Sequence, residues 1–141
     1  MKRILVGIDG SSESRAAAAF AARLAKATGA GLILAGIAFE SDPLVDPEMR
    51  ARMQVYEQQE IARMMTMIKG IADEMAGSDL AIETLVETGA PAVALAEIAS
   101  RKDVDMVVVG HRGRSAVKRL LLGSVADRLV QISTRPVTIV R

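Results

Sequence analysis

Residues 109–125, VGHRGRSAVKRLLLGSV, join an apolar run to a helical segment through three glycines, Gly110, Gly113 and Gly123. The run before them, residues 104–109, is rich in valine, which favours a buried strand. The residues after Gly123 carry apolar side chains at helical spacing, so we predict a helix that ends near residue 132. A glycine-rich connection from a buried strand to a helix is typical of α/β domains, where it lies at the carboxyl end of a parallel sheet.

The rest of the chain alternates strand-like and helix-like segments in the same way. Residues 31–39 form an apolar run without polar alternation, as in strands that are buried on both faces. We predict strands at residues 3–8, 31–39, 81–87, 104–109 and 137–140, with intervening helices that end near residues 27, 76, 100 and 132. Either Ser11 or Ser12 is expected to cap the first helix.

This β-α order predicts a single α/β domain over residues 1–141. The domain is doubly wound, with a five-stranded parallel sheet and about four helices on its two faces, and the strand order we expect for the sheet is 3-2-1-4-5. The turns after the first and fourth strands would then lie side by side, which brings Asp9 close to Gly110. Ligands bind at this edge of such sheets.

Composition argues against several other classes of protein. The chain has 141 residues, no cysteine and one histidine, which rules out disulfides and argues against a zinc site. Basic and acidic residues nearly balance, 18 against 17, and aromatic residues are 2% of the chain, unlike a nucleic-acid-binding protein. No apolar stretch approaches the roughly 20 residues of a membrane span, and no signal peptide is recognisable. We therefore expect a cytoplasmic protein.

The glycine-rich stretch has the chemistry of a phosphate site. Glycines let backbone amides approach an anion without an intervening Cβ, and the amides of Gly123, Ser124 and Val125 would lie at a helix N-terminus, which favours an anion. The stretch has no acidic residue and carries four basic ones, Arg112, Arg114, Lys118 and Arg119. Neither the P-loop pattern nor the dinucleotide fingerprint is present.

The spacing Gly110-x2-Gly113-x9-Gly123-Ser124 resembles the ATP-binding motif of the universal stress protein family. The resemblance extends over essentially the whole chain, from ILVGIDGS at residues 4–11 to RPVTIV at residues 135–140. It implies a five-stranded parallel sheet and a dimer formed through the last strand. It also implies that ATP lies with its triphosphate on Gly110, Gly113, Gly123 and Ser124, with Val125 nearby.

The resemblance implies further contacts outside the glycine-rich stretch. Asp9, at the end of the first strand, would face the nucleotide, and the end of the second strand, at about Ala38 and Phe39, would contact the adenine. Asp9 is also a candidate ligand for Mg²⁺ held largely by the phosphates. Within the stretch we expect at least one of the four basic residues to reach phosphate and include Arg112 and Arg114 as candidates, although the resemblance assigns them no role.

Each of these residues also has a purely structural interpretation. The glycines could supply left-handed turns, Asp9 could start a turn or cap the first helix, and Ser124 or, more weakly, Ser115 could cap a helix as well as bind phosphate. The basic residues could form a solvated loop face. His111 is a candidate for catalysis but has no evident partner, so we expect a solvated loop residue that contacts phosphate or nothing. The methionines between residues 49 and 75 are expected to be helix core.

The predicted function is that of an adenine-nucleotide-binding regulator or sensor of stress. We expect a homodimer because Val137, Ile139 and Val140 form an apolar strand at the chain end, and antiparallel pairing with a second copy would cover this edge. One alternative is a slow ATPase or autophosphorylating enzyme, for which no general base is obvious. The other is a dimeric interaction module without nucleotide, against which the three glycines argue.

Overall fold

The computed structural model describes residues 1–75, 77, 79–114 and 121–141. Strands and helices alternate along the chain as predicted, with bounds within about two residues of those expected. The elements are β1 (Arg3–Gly7), α1 (Ser12–Thr28), β2 (Gly31–Ala38), α2 (Pro47–Met75), β3 (Ile82–Thr88), α3 (Pro91–Arg101), β4 (Met106–Gly110), α4 (Ser124–Ile132) and β5 (Val137–Val140). The predicted end of the second helix, Ala76, lies outside the described residues.

The five strands form one parallel sheet in the order β3-β2-β1-β4-β5, which confirms the predicted topology. In the centre of the sheet, Leu5 of β1 pairs with Ile33 of β2 on one side and with Val107 of β4 on the other. The chain therefore winds outward from β1 in one direction and from β4 in the other. Their carboxyl ends form the crevice between the two halves of the sheet.

Each face of the sheet is covered by two helices. Alanines of α1, among them Ala17, Ala18 and Ala21, are fully buried against one face together with Ile68 and Ile71 of α2. Their small side chains let the α1 backbone lie close to the strands. Leu95 and Ile98 of α3 and Leu129 of α4 pack on the other face. Two apolar clusters thus enclose the sheet, as expected for parallel strands without a polar face.

Helix α1 is capped by Ser11 at its N-terminus and by Gly29 at its C-terminus. Ser11, rather than Ser12, is the N-cap of α1, and its hydroxyl accepts a hydrogen bond from the Ser14 amide. Gly29 ends the helix with a φ of 73°, a left-handed conformation that glycine adopts without a steric penalty.

Helix α2 is 29 residues long, but only its second half packs in the core. Its buried residues are Met64, Ile68 and Ile71, whereas Met49 is 47% exposed. The prediction that the methionines of this helix are core is therefore confirmed for Met64 and wrong for Met49. Within the described part of the chain, no helix combines the length and the apolar character needed to cross a lipid bilayer.

Candidate functional site

A cavity of about 560 Å³ lies at the carboxyl ends of β1, β2 and β4. This is the crevice at which the strand order reverses. The wall on the β2 side is apolar. The wall on the β4 side consists of residues 110–114, which we call the glycine-rich turn, and of the start of α4. The lining residues are Gly7, Ile8, Asp9, Ser14, Ala35, Ile37, Pro91, Leu95, Val109, Gly110, Arg112, Gly113, Arg114, Gly123, Ser124, Val125 and Ala126.

The cavity brings together eight of the ten residues expected at a nucleotide site. Those eight are Asp9, Gly110, Arg112, Gly113, Arg114, Gly123, Ser124 and Val125. The other basic candidates, Lys118 and Arg119, and the hydroxyl candidate Ser115 lie outside the described residues.

The end of β2 contributes Ile37 to the cavity wall instead of Ala38 and Phe39. Side chains alternate between the two faces of a strand, so Ala38 shares a face with Gly36, where an added Cβ would meet α2. Ala38 is buried, and Phe39 is 41% exposed, its ring packed edge-to-face on that of Tyr56 with centroids 5.7 Å apart. Ala35 and Ile37, two residues apart, point to the same face and both line the cavity, and this two-residue spacing was the signal in the sequence.

Asp9 ties the β1–α1 turn to the glycine-rich turn. Its Oδ1 accepts hydrogen bonds from the Ser11 amide at 2.9 Å and the Ser11 hydroxyl at 2.6 Å. Its Oδ2 accepts from the Arg114 amide at 3.1 Å. The interpretation of Asp9 as a helix cap is therefore wrong, because Ser11 fills that role. Among the described residues, three donors use three of the roughly four acceptor positions of this carboxylate, and the fourth suits a ligand.

The three glycines allow close contacts between turns. None of the three has a positive φ, so the left-handed interpretation is wrong. A Cβ on Gly113 would lie 2.8 Å from Asp9 Oδ2, and one on Gly123 would lie 2.9 Å from the Arg112 Cα. The Gly123 amide donates to the His111 carbonyl at 2.6 Å. The glycine-rich turn and the start of α4 are thereby packed directly on each other.

The start of α4 directs backbone amides at the cavity. Gly123 is the N-cap, with φ −71° and ψ 159°, and Ser124 is the first helical residue. The prediction that Ser124 caps this helix is therefore wrong, because the N-cap position contacts Arg112 too closely for a side chain. The first amides of a helix have no partner within it and carry partial positive charge. Ser124, Val125 and Ala126 line the cavity, so this end suits an anion.

Acidic side chains from two helices hold the arginines of the turn. Arg112 Nη2 lies 3.9 Å from Glu13 Oε1 of α1, and Arg114 Nη1 lies 3.7 Å from Glu60 Oε1 of α2. The pKa of Glu13 is lowered, first by a hydrogen bond from its own backbone amide and then by the Ser12 hydroxyl, with smaller contributions from Arg112 and His111. Sequence reasoning missed both glutamates, because neither is near the turn in sequence.

His111 is buried, with 9% of its surface exposed, so its prediction as a solvated loop residue is wrong. Its Nε2 accepts a hydrogen bond from Arg112 Nε at 2.9 Å. Its Nδ1 has no hydrogen-bond partner among the residues that the structure describes. Those residues also contain no group of three acidic, histidine or cysteine side chains that could hold a metal by themselves.

Glu60 pairs with both Arg63 of its own helix and Arg114 of the glycine-rich turn, and we expect these ion pairs to stabilise the fold measurably. Arg63 donates to both carboxylate oxygens of Glu60, at 2.6 and 3.0 Å, and lowers the pKa of Glu60 below its ordinary 4.5. A lowered pKa means that the contribution is complete above pH 4.5 and is lost as the pH falls below it. We expect Glu60→Gln to reduce the unfolding free energy by about 1 kcal/mol at pH 7, measured by urea denaturation, and the difference to shrink below pH 4.5.

Glu48→Gln on the same helix is the matched control. Glu48 pairs with Arg52 at 3.1 Å, but both side chains are at least 75% exposed, and such pairs contribute little. A loss of equal size in both variants would show that overall charge is responsible, and would contradict a specific role for the Glu60 bridge.

Known proteins are similar to this chain in sequence and in fold. The model of the universal stress protein family matches residues 1–141. Universal stress protein YxiE of Bacillus subtilis (strain 168) is 31% identical over 153 residues, which cover 99% of this chain and 98% of the relative.

Two solved structures extend the comparison. Universal stress protein UspA from Lactobacillus plantarum superimposes with a TM-score of 0.92 at 22% identity, covering 99% of this chain and 97% of its own. A universal stress protein in complex with cAMP has a TM-score of 0.70 at 30% identity, again covering 99% of this chain and 97% of its own. Because the family model matches residues 1–141, this chain belongs to the universal stress protein family.

Proposed function

We propose that this protein binds an adenine nucleotide, with ATP as the first candidate, and acts as a homodimeric regulator or sensor of stress. The observation that carries the proposal is the cavity with two unlike ends. Ile37 and Leu95 stand on its apolar side, and the glycine-rich turn and the N-terminus of α4 stand on the other. A flat apolar base fits the first end and an anion fits the second. The relative solved with cAMP supports the adenine nucleotide class.

A magnesium ion fits this site if the phosphates supply most of its ligands. Asp9 has one acceptor position left after its contacts with Ser11 and Arg114. Magnesium in nucleotide sites commonly takes one or two carboxylates together with phosphate oxygens and water. Asp9 would therefore be the protein ligand, while its other contacts hold the two turns together.

A binding role suits the arrangement better than phosphoryl-transfer catalysis. Such catalysis needs a group that orients the attacking nucleophile and cations that neutralise the developing charge. Asp9 and His111 are the candidates for the first task, and both are engaged by neighbouring donors. Arg112 and Arg114 are each paired with a glutamate. A slow ATPase or autokinase thus remains the second candidate.

The nucleotide content of the purified protein tests the proposal. The protein is denatured, and the released material is identified by ion-exchange chromatography against adenine nucleotide standards. Stoichiometric ATP is the expected result, and it would argue for slow turnover. ADP or AMP would favour the enzyme or a different ligand preference. An empty protein that also fails to bind ATP with Mg²⁺ by calorimetry would contradict the proposal and favour an interaction module.

The free edge of β5 supports the dimer. In its ladder with β4, the carbonyls of Pro136 and Val140 accept bonds from the β4 side. Backbone groups alternate in direction along a strand, so the N–H and C=O of Val137 and Ile139 point away from the sheet. All four residues of this strand are partly exposed. An apolar edge whose outward donors and acceptors find no partner among the described residues suits antiparallel pairing with a second copy.

Replacing Ile139 with proline should separate the dimer. Proline removes the outward N–H of this residue but no bond to β4, and edge strands tolerate proline in that orientation. By sedimentation equilibrium, we expect a dimer for the wild-type protein and a monomer for Ile139→Pro, with circular dichroism to establish that the variant is folded. A monomeric wild-type protein, or a folded variant that remains dimeric, would contradict pairing through β5.

A further inference from the structure

Helix α2 begins outside the core, and the chain around its start exposes much apolar surface. The first buried residue of this helix is Met64, several turns after Pro47. Of the nine large apolar side chains that are exposed in the described part of the chain, five lie between residues 39 and 56. Exposed apolar residues that are concentrated in one place mark an interaction surface, whereas scattered ones do not. The five are Phe39, Leu44, Met49, Val55 and Tyr56.

Four of these side chains are brought together by the loop between β2 and α2. The ring of Phe39 packs edge-to-face on that of Tyr56, with centroids 5.7 Å apart. Met49 lies about two turns before Tyr56 on the same face of the helix. Arg50 Nη2 donates to both carbonyls that flank Leu44 in the loop, which holds this leucine at the same end of the helix as Met49. We call Phe39, Leu44, Met49 and Tyr56 the α2 surface.

The α2 surface has the composition of a protein interface and is held in place by its own hydrogen bonds. The chain has one tyrosine, two phenylalanines and no tryptophan, and two of these three aromatic side chains lie here. Aromatic residues and methionine are enriched in interfaces. The Ser41 amide donates to Glu57 Oε2 at 3.0 Å, and the Met49 amide donates to Asp46 Oδ1 at 3.0 Å. Because the loop is tied to the helix near both of its ends, binding would order little additional chain.

The charge around the α2 surface is acidic, unlike that of the whole chain. Residues 40–57 carry five acidic side chains and two arginines, whereas the complete chain has a formal net charge of +1. Both arginines are engaged locally, Arg50 with the loop carbonyls and Arg52 with Glu48 at 3.1 Å. Such a surface repels partners rich in phosphate, such as nucleic acids and anionic membranes, and attracts apolar segments that are flanked by cations.

We propose that the α2 surface is a docking site for another protein, which it binds through a segment with apolar side chains flanked by lysine or arginine. The apolar side chains would cover Leu44, Met49 and the aromatic pair, and the cations would face the exposed Glu40 and Asp42 of the adjoining loop. An apolar centre with a charged rim is typical of protein recognition. No residue of the α2 surface lines the cavity, so this docking site does not depend on the proposed nucleotide.

A pair of synthetic peptides supplies the probe for the first arm of the test. One contains about 14 leucines and lysines at helical spacing, and its control has glutamate in place of every lysine. By calorimetry with the wild-type protein, we expect the lysine peptide to bind at least about tenfold more tightly than the glutamate peptide. Neither peptide contains an aromatic residue, so a change in tyrosine fluorescence reports on Tyr56 alone. Equal affinities, no binding, or binding that leaves this fluorescence unchanged would overturn the proposal.

Two leucines of equal exposure test the location of the docking site. Leu44 is 91% exposed and Leu121 is 90% exposed, so serine at either position removes an apolar side chain with little effect on packing. We expect Leu44→Ser to weaken binding of the lysine peptide about tenfold and Leu121→Ser to leave it unchanged, with circular dichroism to establish that both variants are folded. Equal losses in the two variants, or wild-type affinity in folded Leu44→Ser, would contradict docking at the α2 surface.

The last arm tests the charge and the identity of the occupant. In the double variant Glu40→Gln/Asp42→Asn two negative charges are lost, while the asparagine can still accept from the Leu44 amide as Asp42 does. We expect the lysine peptide to bind this variant about fivefold more weakly at low salt, and the difference to shrink at high salt. An unchanged affinity would contradict recognition of cations. By sedimentation equilibrium, Leu44→Ser should have the oligomeric state of the wild type, and an altered state would identify a second copy of this chain as the occupant and overturn the proposal.

Discussion

Replacing Gly123 with alanine is expected to raise the dissociation constant for ATP about 30-fold in a protein that remains folded. The φ of −71° and ψ of 159° at this position are open to any residue, so backbone strain plays no part. The added Cβ would lie 2.9 Å from the Arg112 Cα, 3.2 Å from the His111 carbonyl oxygen and 3.3 Å from the Gly113 nitrogen. All three are backbone atoms, so the turn and the start of α4 must move apart.

The expected size follows from the cost of overpacking. Forcing an extra carbon into a close-packed contact costs typically about 2 kcal/mol, which corresponds to about 30-fold in affinity when the ligand requires the closed arrangement. Calorimetric titration with ATP and Mg²⁺ measures the constant, and circular dichroism verifies the fold.

Gly31→Ala is the control for this substitution. Gly31 is the first residue of β2 and lies at the amino ends of the strands, away from the cavity. Its added Cβ would make only ordinary contacts, the nearest at 3.5 Å from the Ala81 carbonyl oxygen. We expect unchanged affinity in this variant. Wild-type affinity in folded Gly123→Ala would contradict the assignment of the phosphates to this end of the cavity.

Local patterns in the sequence predict parallel strands and, given the strand order 3-2-1-4-5, the position of the crevice. The alternation of strands and helices requires parallel pairing, and the order 3-2-1-4-5 places the turns after β1 and β4 together. The bond from the Arg114 amide to Asp9 Oδ2, across 105 positions of sequence, confirms that adjacency. The glycine spacing similarly locates the turn and helix that line the cavity.

The expectation that Ala38 and Phe39 line the cavity fails for a definable reason. The wall residue of β2 depends on which face of the sheet holds the cavity, because neighbouring residues point to opposite faces. Once α3 and α4 lie on the cavity side, Ile37 faces it and Ala38 does not. An error of one position along the strand therefore selects a side chain on the opposite face of the sheet.

The environment of the basic residues depends on contacts that leave no local pattern. Glu60 reaches Arg114 from α2, and Glu13 reaches Arg112 from α1, so the local excess of positive charge in the sequence is offset in space. The position of the His111 backbone likewise depends on β5, since its amide donates to the Val140 carbonyl. Short polar motifs identify which residues meet at the site, but neutralisation and burial are set by the tertiary structure.

Replacing Gly110 with alanine is expected to destabilise the fold by about 3 kcal/mol. Gly110 ends β4 beneath the first turn of α1. Its added Cβ would lie 2.7 Å from the Glu13 Cβ, 2.8 Å from the Glu13 carbonyl carbon and 2.9 Å from the carbonyl oxygen. For a domain of this size we expect a fall in Tm of about 10 °C, measured by thermal denaturation.

Gly70→Ala supplies a control of opposite sign. Gly70 lies on the exposed side of α2, where an added Cβ meets nothing within 4 Å, so alanine should raise the unfolding free energy by about 0.5–1 kcal/mol through its helix propensity.

Glu13→Ala tests whether the loss caused by Gly110→Ala comes from the close approach of α1 to β4 or from the charge of the Glu13 carboxylate. Alanine at position 13 retains the Cβ and the carbonyl, so the loss caused by Gly110→Ala should be the same in this background as in the wild type. If removal of the Glu13 carboxylate instead restored stability, the charged group, and not the close approach of α1 to β4, would be the reason that glycine is required here.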